Sequence, residues 1–121
     1  MTEIPNKNYD LEERTFKFTK LVIEFCKKLP KTVENIELLR QAVRASGSVG
    51  ANYIEANEAL SKKDFKMRIR ICRKESKESR YWLRVILDTN KLNNEESVVK
   101  FLIQESTEFI KIFNSILIKN K

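Results

Sequence analysis

The side chains with the clearest capacity for chemistry are the basic ones between Ser61 and Asn90. This segment carries ten Lys and Arg residues against four acidic ones, so +6 of the chain's net charge of +7 lies within it. Steps of three and four place six of these cations on one face of a helix. A one-sided basic stripe attracts polyanions, and nucleic acid is the usual polyanion of a cytoplasm. The predicted phosphate-contacting residues are Lys66, Arg70, Arg73, Lys77, Arg80 and Arg84.

Any such binding is expected to be directed at the nucleic-acid backbone or at RNA shape. The sequence contains no RNP motif, zinc finger or recognisable helix-turn-helix that could read bases. Two alternatives remain open at this point. The stripe can be a plain solvated helix face, or it can meet an acidic partner protein, which would make the chain an interaction adaptor or an assembly subunit.

A second group of polar residues is predicted to form a network between helices that fixes their register. Within it, Glu78 is expected to pair with Arg44 across a helical hairpin. A di-iron site of the helical-bundle type needs Glu-x-x-His motifs, and the chain has no histidine. We therefore predict no metal, no cofactor and no catalytic residue, and a protein that is not an enzyme. The residues of the predicted network are Arg44, Asn52, Glu55, Glu75 and Glu78.

Both glycines of the chain lie in the segment SGSVGAN, inside a helical pattern. This segment lacks the Lys-Ser/Thr ending of a P-loop and the spacing of GxGxxG, so a phosphate loop is disfavoured. Close packing of helices is the favoured explanation for Gly47 and Gly50. Folding the hairpin near Ser61 is expected to bring Cys72 opposite Gly50.

Four helices must position these residues. The predicted fold class is all-α, an antiparallel up-down-up-down four-helix bundle, formed by a single domain over residues 1–121. Heptad spacing predicts helices over about 11–29, 33–60, 62–90 and 94–119, after a loose lead-in over residues 1–9. The expected helix-capping residues are Asp10, Thr32, Ser61 and Asn93.

Helix four has more apolar residues than one bundle core requires, and helix one has two outside its main stripe. A thick core is one explanation. The favoured one is a subunit interface, which predicts a homo-oligomer. Tyr81 and Trp82 are expected to be core or interface residues. The surplus apolar residues are Phe16, Ile23, Phe101, Ile103, Ile110, Ile112, Leu117 and Ile118.

Composition also indicates where the protein resides. Cys26 and Cys72 lie on apolar seams without CxxC spacing, which favours buried free thiols in a reducing compartment. No secretory signal and no apolar run long enough to span a bilayer are present. The expected location is the cytoplasm, without membrane contact.

Two stretches carry a family resemblance. LRQAVRASGSVGANYIEANEALSKKDF, followed by KESKESRYWL, closely resembles the small bacterial four-helix bundles known as 23S rRNA intervening-sequence proteins. The resemblance is strongest over residues 39–83. Many members have N-I-A-E-G within the first stretch, whereas this chain keeps Asn52 and Glu55 and has Ala56 in place of the glycine.

The resemblance implies a cytoplasmic, non-enzymatic bundle. Such proteins are similar to the accessory protein of diversity-generating retroelements, a basic homopentamer that binds nucleic acid and a reverse transcriptase. The resemblance therefore implies a pentamer, RNA or DNA as a ligand, and a reverse transcriptase or another protein as a partner.

Overall fold

Helical periodicity extends through almost the whole chain. The computed structural model describes residues 7–121, with side chains from residue 11 onward. No residue of this part lies in a β-strand, so the predicted all-α, four-helix class is confirmed. The helices are α1 Lys7–Cys26, α2 Val33–Asn57, α3 Lys62–Thr89 and α4 Glu96–Lys119, the last preceded by a 3-10 turn at Asn93–Glu95.

Helices that follow one another in sequence pack side by side, and α4 also packs against α1. In each pair, residues early in one helix contact residues late in the next, which fits an up-down-up-down order. The side-chain contacts are Glu12–Asn57 and Thr19–Ser46 between α1 and α2, Arg44–Glu78 and Asn52–Arg68 between α2 and α3, and Arg73–Asn114 and Arg80–Thr107 between α3 and α4.

Two of the predicted N-caps are present and one is wrong. The Thr32 hydroxyl accepts a hydrogen bond from the Asn35 backbone amide at 3.1 Å, and Ser61 accepts one from the Asp64 amide at 3.0 Å. Asn93 instead adopts a positive φ of 51° and begins the 3-10 turn. Asparagine tolerates this left-handed conformation better than most residues, which is why the turn forms there. The side chain of Asp10 lies outside the described residues.

The bounds of α1 and the end of α2 differ from the predicted ones. α1 already includes residues 7–9 and ends at Cys26, because its last turn tightens into hydrogen bonds from Lys28 to Phe25 and from Leu29 to Cys26 before Pro30. α2 ends at Asn57 instead of residue 60. Leu60 therefore leaves the heptad seam and is fully exposed.

The core combines aromatic rings with small polar side chains. Phe18 packs edge-on against Phe109, with ring centroids 5.2 Å apart, and Tyr53 lies 6.1 Å from Phe113. Buried serines allow the helices to approach, and their hydroxyl groups donate to backbone carbonyls within the same helix. These serines are Ser46, Ser76, Ser79 and Ser106.

The glycines contact different surroundings from those predicted. An added Cβ at Gly50 would lie 2.9 Å from the Thr15 hydroxyl oxygen, so Gly50 permits close approach of α1. The Cys72 thiol instead donates to the Val49 carbonyl at 3.4 Å. An added Cβ at Gly47 would meet no atom within 4 Å, so close packing does not explain this glycine.

Most of the surplus apolar residues of α4 are covered within the single chain. Ile110 is buried, and Ile103, Ile112 and Leu117 pack against the core. For these four, the thick core is therefore the correct explanation. The exposed members of the predicted interface are Phe16, Ile23, Phe101 and Ile118. No helix within residues 7–121 combines the length and apolarity needed to cross a bilayer.

Candidate nucleic-acid interface

The predicted stripe lies on the α4-facing flank of α3. The buried heptad positions of α3 fix which face of the helix points into the core, and so which face carries the cations. These buried positions are Ile69, Cys72, Ser76, Ser79, Leu83 and Ile86. The six cations then form two rows, each with a period of seven residues. The inner row contains Lys66, Arg73 and Arg80, and the outer row contains Arg70, Lys77 and Arg84.

Neutral groups of α4 position the two arginines of the inner row. The Arg73 guanidinium donates to the amide oxygen of Asn114 at 2.7 Å, and Arg80 donates to the hydroxyl of Thr107 at 3.3 Å. Both arginines are half-buried. Because the acceptors are uncharged, the two guanidinium groups are oriented without their charge being neutralised.

The outer row is exposed to solvent over its whole length. Within residues 11–121, no side chain of either row forms an ion pair with a carboxylate. From Lys66 to Arg84 the stripe is about 27 Å long at 1.5 Å per residue. That length matches about eight phosphates along one strand of a duplex.

Two further lysines extend the stripe beyond the sequence prediction. Lys62 and Lys63 join Lys66 and Arg70 around an open depression of about 430 Å³ at the start of α3. The amino end of a helix carries a partial positive charge, which adds to the attraction for anions. The seven-residue spacing from Lys63 to Arg70 was the sequence signal that could have identified this extension.

Tyr81 is an exposed aromatic residue beside the outer row. Its side chain is 58% exposed, and it lies four residues after Lys77 and three before Arg84, hence on the same side of the helix. Its ring packs edge-on against Trp82 at 4.9 Å. An exposed ring among cations is suited to stacking on an unpaired base. Of the two predicted positions for Tyr81, core or interface, its exposure excludes the core of the single chain.

The predicted polar network exists in two separate parts. Arg44 donates to Glu75 at 3.3 Å and to Glu78 at 2.7 Å, so the predicted Arg44–Glu78 pair is present. Asn52 belongs to the second part, where its side-chain oxygen accepts from Arg68 at 3.0 Å. Glu55 is exposed and takes part in neither, because it lies on the outer face of α2.

The remaining reactive groups are the two buried thiols. Burial raises the pKa of Cys26 from 9.0 to about 11, with Lys31 opposing the rise, and raises that of Cys72 to about 12. Both are therefore protonated, unreactive thiols at neutral pH. Among the described residues, no group of three His, Cys, Asp or Glu side chains is placed to hold a metal ion.

Comparisons with known proteins agree with this architecture. The profile of the 23S rRNA-intervening sequence protein family matches residues 7–115. A crystal structure of a protein of unknown function from the S23 ribosomal protein family of Bacteroides thetaiotaomicron is similar, with a TM-score of 0.81 and 28% sequence identity. The match covers 93% of this chain and 98% of that one. No curated protein matches the sequence, so the likeness to the retroelement accessory protein stays a prediction.

Proposed function

Because the chain belongs to the 23S rRNA-intervening sequence protein family, we propose that it is a cytoplasmic, non-enzymatic accessory protein that binds the RNA or DNA backbone. The observation that carries this proposal is the stripe on α3. Six cations lie along one flank, and no described carboxylate neutralises them. Uncompensated charge concentrated on one flank creates a positive potential that attracts polyanions.

The two rows are expected to contribute differently to phosphate binding. The inner row is already ordered by Asn114 and Thr107, so those guanidinium groups lose little conformational entropy when they bind a phosphate. The outer row is free to adapt to the path of the strand. Backbone contacts of this kind hold a nucleic acid without reading its sequence.

The test is a triple charge reversal of the outer row, Arg70→Glu, Lys77→Glu and Arg84→Glu. Retention of arbitrary RNA and DNA is measured between about 50 and 200 mM salt, because phosphate contacts weaken steeply over this range. The variant should bind more weakly at low salt, and the slope of log K against log salt should fall by about 2 to 3. The outer row is exposed, so circular dichroism should show an unchanged fold.

The matched control reverses three exposed lysines elsewhere, Lys17→Glu, Lys20→Glu and Lys91→Glu. It changes the net charge equally and should reduce the slope much less. Equal loss in both variants would mean that net charge, and not the stripe, governs binding. If the unmodified chain retains neither RNA nor DNA at low salt, the alternative of an adaptor for an acidic partner protein is favoured.

We also propose that the protein is a homo-oligomer, for which the family resemblance suggests five subunits. Support comes from Phe101 and Ile118 of α4, which remain 54% and 65% exposed. Light scattering should give a mass of several subunits, and Phe101→Gln with Ile118→Gln should lower it. A monomeric mass for the unmodified chain would contradict this part of the proposal.

A further inference from the structure

A second surface, on the opposite flank of the bundle from the stripe, has a different character. The outer crease between α1 and α2 forms an open apolar groove of about 630 Å³. This volume is within the range of about 300–1,000 Å³ that is typical of ligand sites. Its apolar lining includes Ile23, Ile36, Leu39 and Val43, of which Ile23 and Ile36 are 36% and 44% exposed.

Every charged residue that lines this groove is basic. They are Lys27, Lys31, Arg40 and Arg44, of which Arg44 is already paired with Glu75 and Glu78 of α3. Arg40 has only a 3.6 Å contact with exposed Glu37, and Lys31 donates to backbone carbonyls. Lys27 forms no ion pair among the described residues. An occupant that complements this lining therefore has an apolar face flanked by negative charge.

The groove is long as well as apolar. A second depression of about 330 Å³ shares Ile23 and Lys27 with it and continues along α1 to Phe16, which is 64% exposed. Lys20 and a single acid, Glu24, line this extension. From Phe16 to Lys27 the surface runs about 16 Å, or three turns of a facing helix. This length favours a peptide helix over a small amphiphile.

We propose that the α1–α2 groove binds an amphipathic helix of a partner protein, with its apolar side against Ile23 and Ile36 and its acidic flanks against the basic rim. Helices bind in grooves of this kind through apolar anchors spaced three, four and seven residues apart. The site is separate from the α3 stripe, so the two surfaces can be occupied together.

The probe is a synthetic amphipathic peptide of about five helical turns, with leucine at helical spacing and glutamate elsewhere. It is titrated into the isotope-labelled full chain, and amide shifts are followed by NMR. The shifts should be saturable, centred on residues 23–43, with a Kd below about 1 mM. A scrambled peptide of the same composition should bind at least about tenfold more weakly, because it has the charge without the apolar face.

Two matched variants locate the site. Ile36→Glu places a negative charge in the groove and should weaken the peptide at least about tenfold. Ile54→Glu changes an equally exposed isoleucine (51% against 44%) of the same helix outside the groove and should leave binding unchanged. Retention of nucleic acid should be the same in both variants, so failure here is distinguishable from failure of the proposed function.

Five results would overturn the inference. The first is that no saturable shift occurs, and the second is that the scrambled peptide binds equally well. The third is that the shifts map to α3. The fourth is that dodecanoate, a small amphiphile, shifts the groove residues when the peptide does not. The fifth is that Ile36→Glu lowers the mass seen by light scattering, because a second copy of the chain would then occupy the groove.

Discussion

The two glycines of α2 should respond in opposite ways to the same substitution. Both lie in the interior of α2, where alanine is favoured over glycine by about 0.5–1 kcal/mol. An added Cβ at Gly47 meets no atom within 4 Å. Gly47→Ala should therefore stabilise the fold by about that amount, which corresponds to about 2–4 °C in Tm for a chain of this size.

At Gly50 the new methyl group would meet Thr15. The distance to the Thr15 hydroxyl oxygen would be 2.9 Å and that to its Cβ 3.2 Å. Thr15 is 1% exposed, and its hydroxyl donates to the Leu11 carbonyl at 2.8 Å, so moving the side chain away would break this hydrogen bond inside a close-packed core. Overpacking of this kind costs about 1–3 kcal/mol, which exceeds the helical gain. Gly50→Ala should lower stability by about 1 kcal/mol.

The assay is urea unfolding followed by circular dichroism, supplemented by thermal melts. With an m-value of about 2 kcal/mol/M, a change of 1 kcal/mol moves the midpoint by about 0.5 M. The urea midpoint of Gly47→Ala should therefore lie above that of the unmodified chain and that of Gly50→Ala below it. The two variants should differ by about 1 M. The slope m should stay constant, because neither substitution changes the surface exposed on unfolding.

A double-mutant cycle identifies the contact. Thr15→Ala removes the hydroxyl and should relieve Gly50→Ala by at least about 0.5 kcal/mol. Thr15→Ser keeps the oxygen at 2.9 Å and should relieve it much less. The reasoning is refuted if Gly50→Ala stabilises as much as Gly47→Ala, or if Thr15→Ala shows no coupling, because α1 would then not approach α2 at this point.

Two further predictions concern buried polar groups. Arg44→Met should destabilise the fold by about 1–2 kcal/mol, because the Glu75 carboxylate then loses its guanidinium partner while only 7% exposed. Glu78→Gln should cost less, because the Glu78 side chain is 38% exposed. Urea unfolding measures both, and equal costs would contradict the argument. For the thiols, alkylation at pH 8 should be about 100-fold slower at Cys26 than in the unfolded chain, because its pKa is about 11 instead of 9.0. Since folding raises both thiol pKa values, their contribution to stability is complete below pH 9 and is lost as the pH rises through about 11 to 12. Mass spectrometry and unfolding at several pH values test these two statements.

Local signals explain which parts of the fold were predictable. Thr32 and Ser61 cap their helices because a hydroxyl at the N-cap position can accept from the backbone amide three residues later, whatever the rest of the chain does. The Arg44–Glu78 pair followed from the length of the α2–α3 connection, which fixes the hairpin register. The opposite case is Asn93, where the turn conformation overrode the capping pattern.

Contacts between helices distant in sequence were the part that could not be predicted. Heptad spacing shows that a residue points inward, but not which helix it meets. Gly50 was therefore assigned to α3, although it faces Thr15 of α1. The same ambiguity affected α4, where Ile103 and Ile112 have the periodicity of an outer surface but are covered by neighbours. Glu55 was assigned to the network between helices for the same reason, although it is exposed.

By itself, the sequence determined that the chain forms four amphipathic helices and that its excess charge lies on the third. Both properties depend on residue spacing along one helix. The tertiary structure alone decided that α4 holds two arginines of the stripe while the outer row stays exposed, and that an apolar groove with a basic rim lies between α1 and α2. These features depend on the angles and register at which helices pack, and such packing is set by side chains that are far apart in the chain.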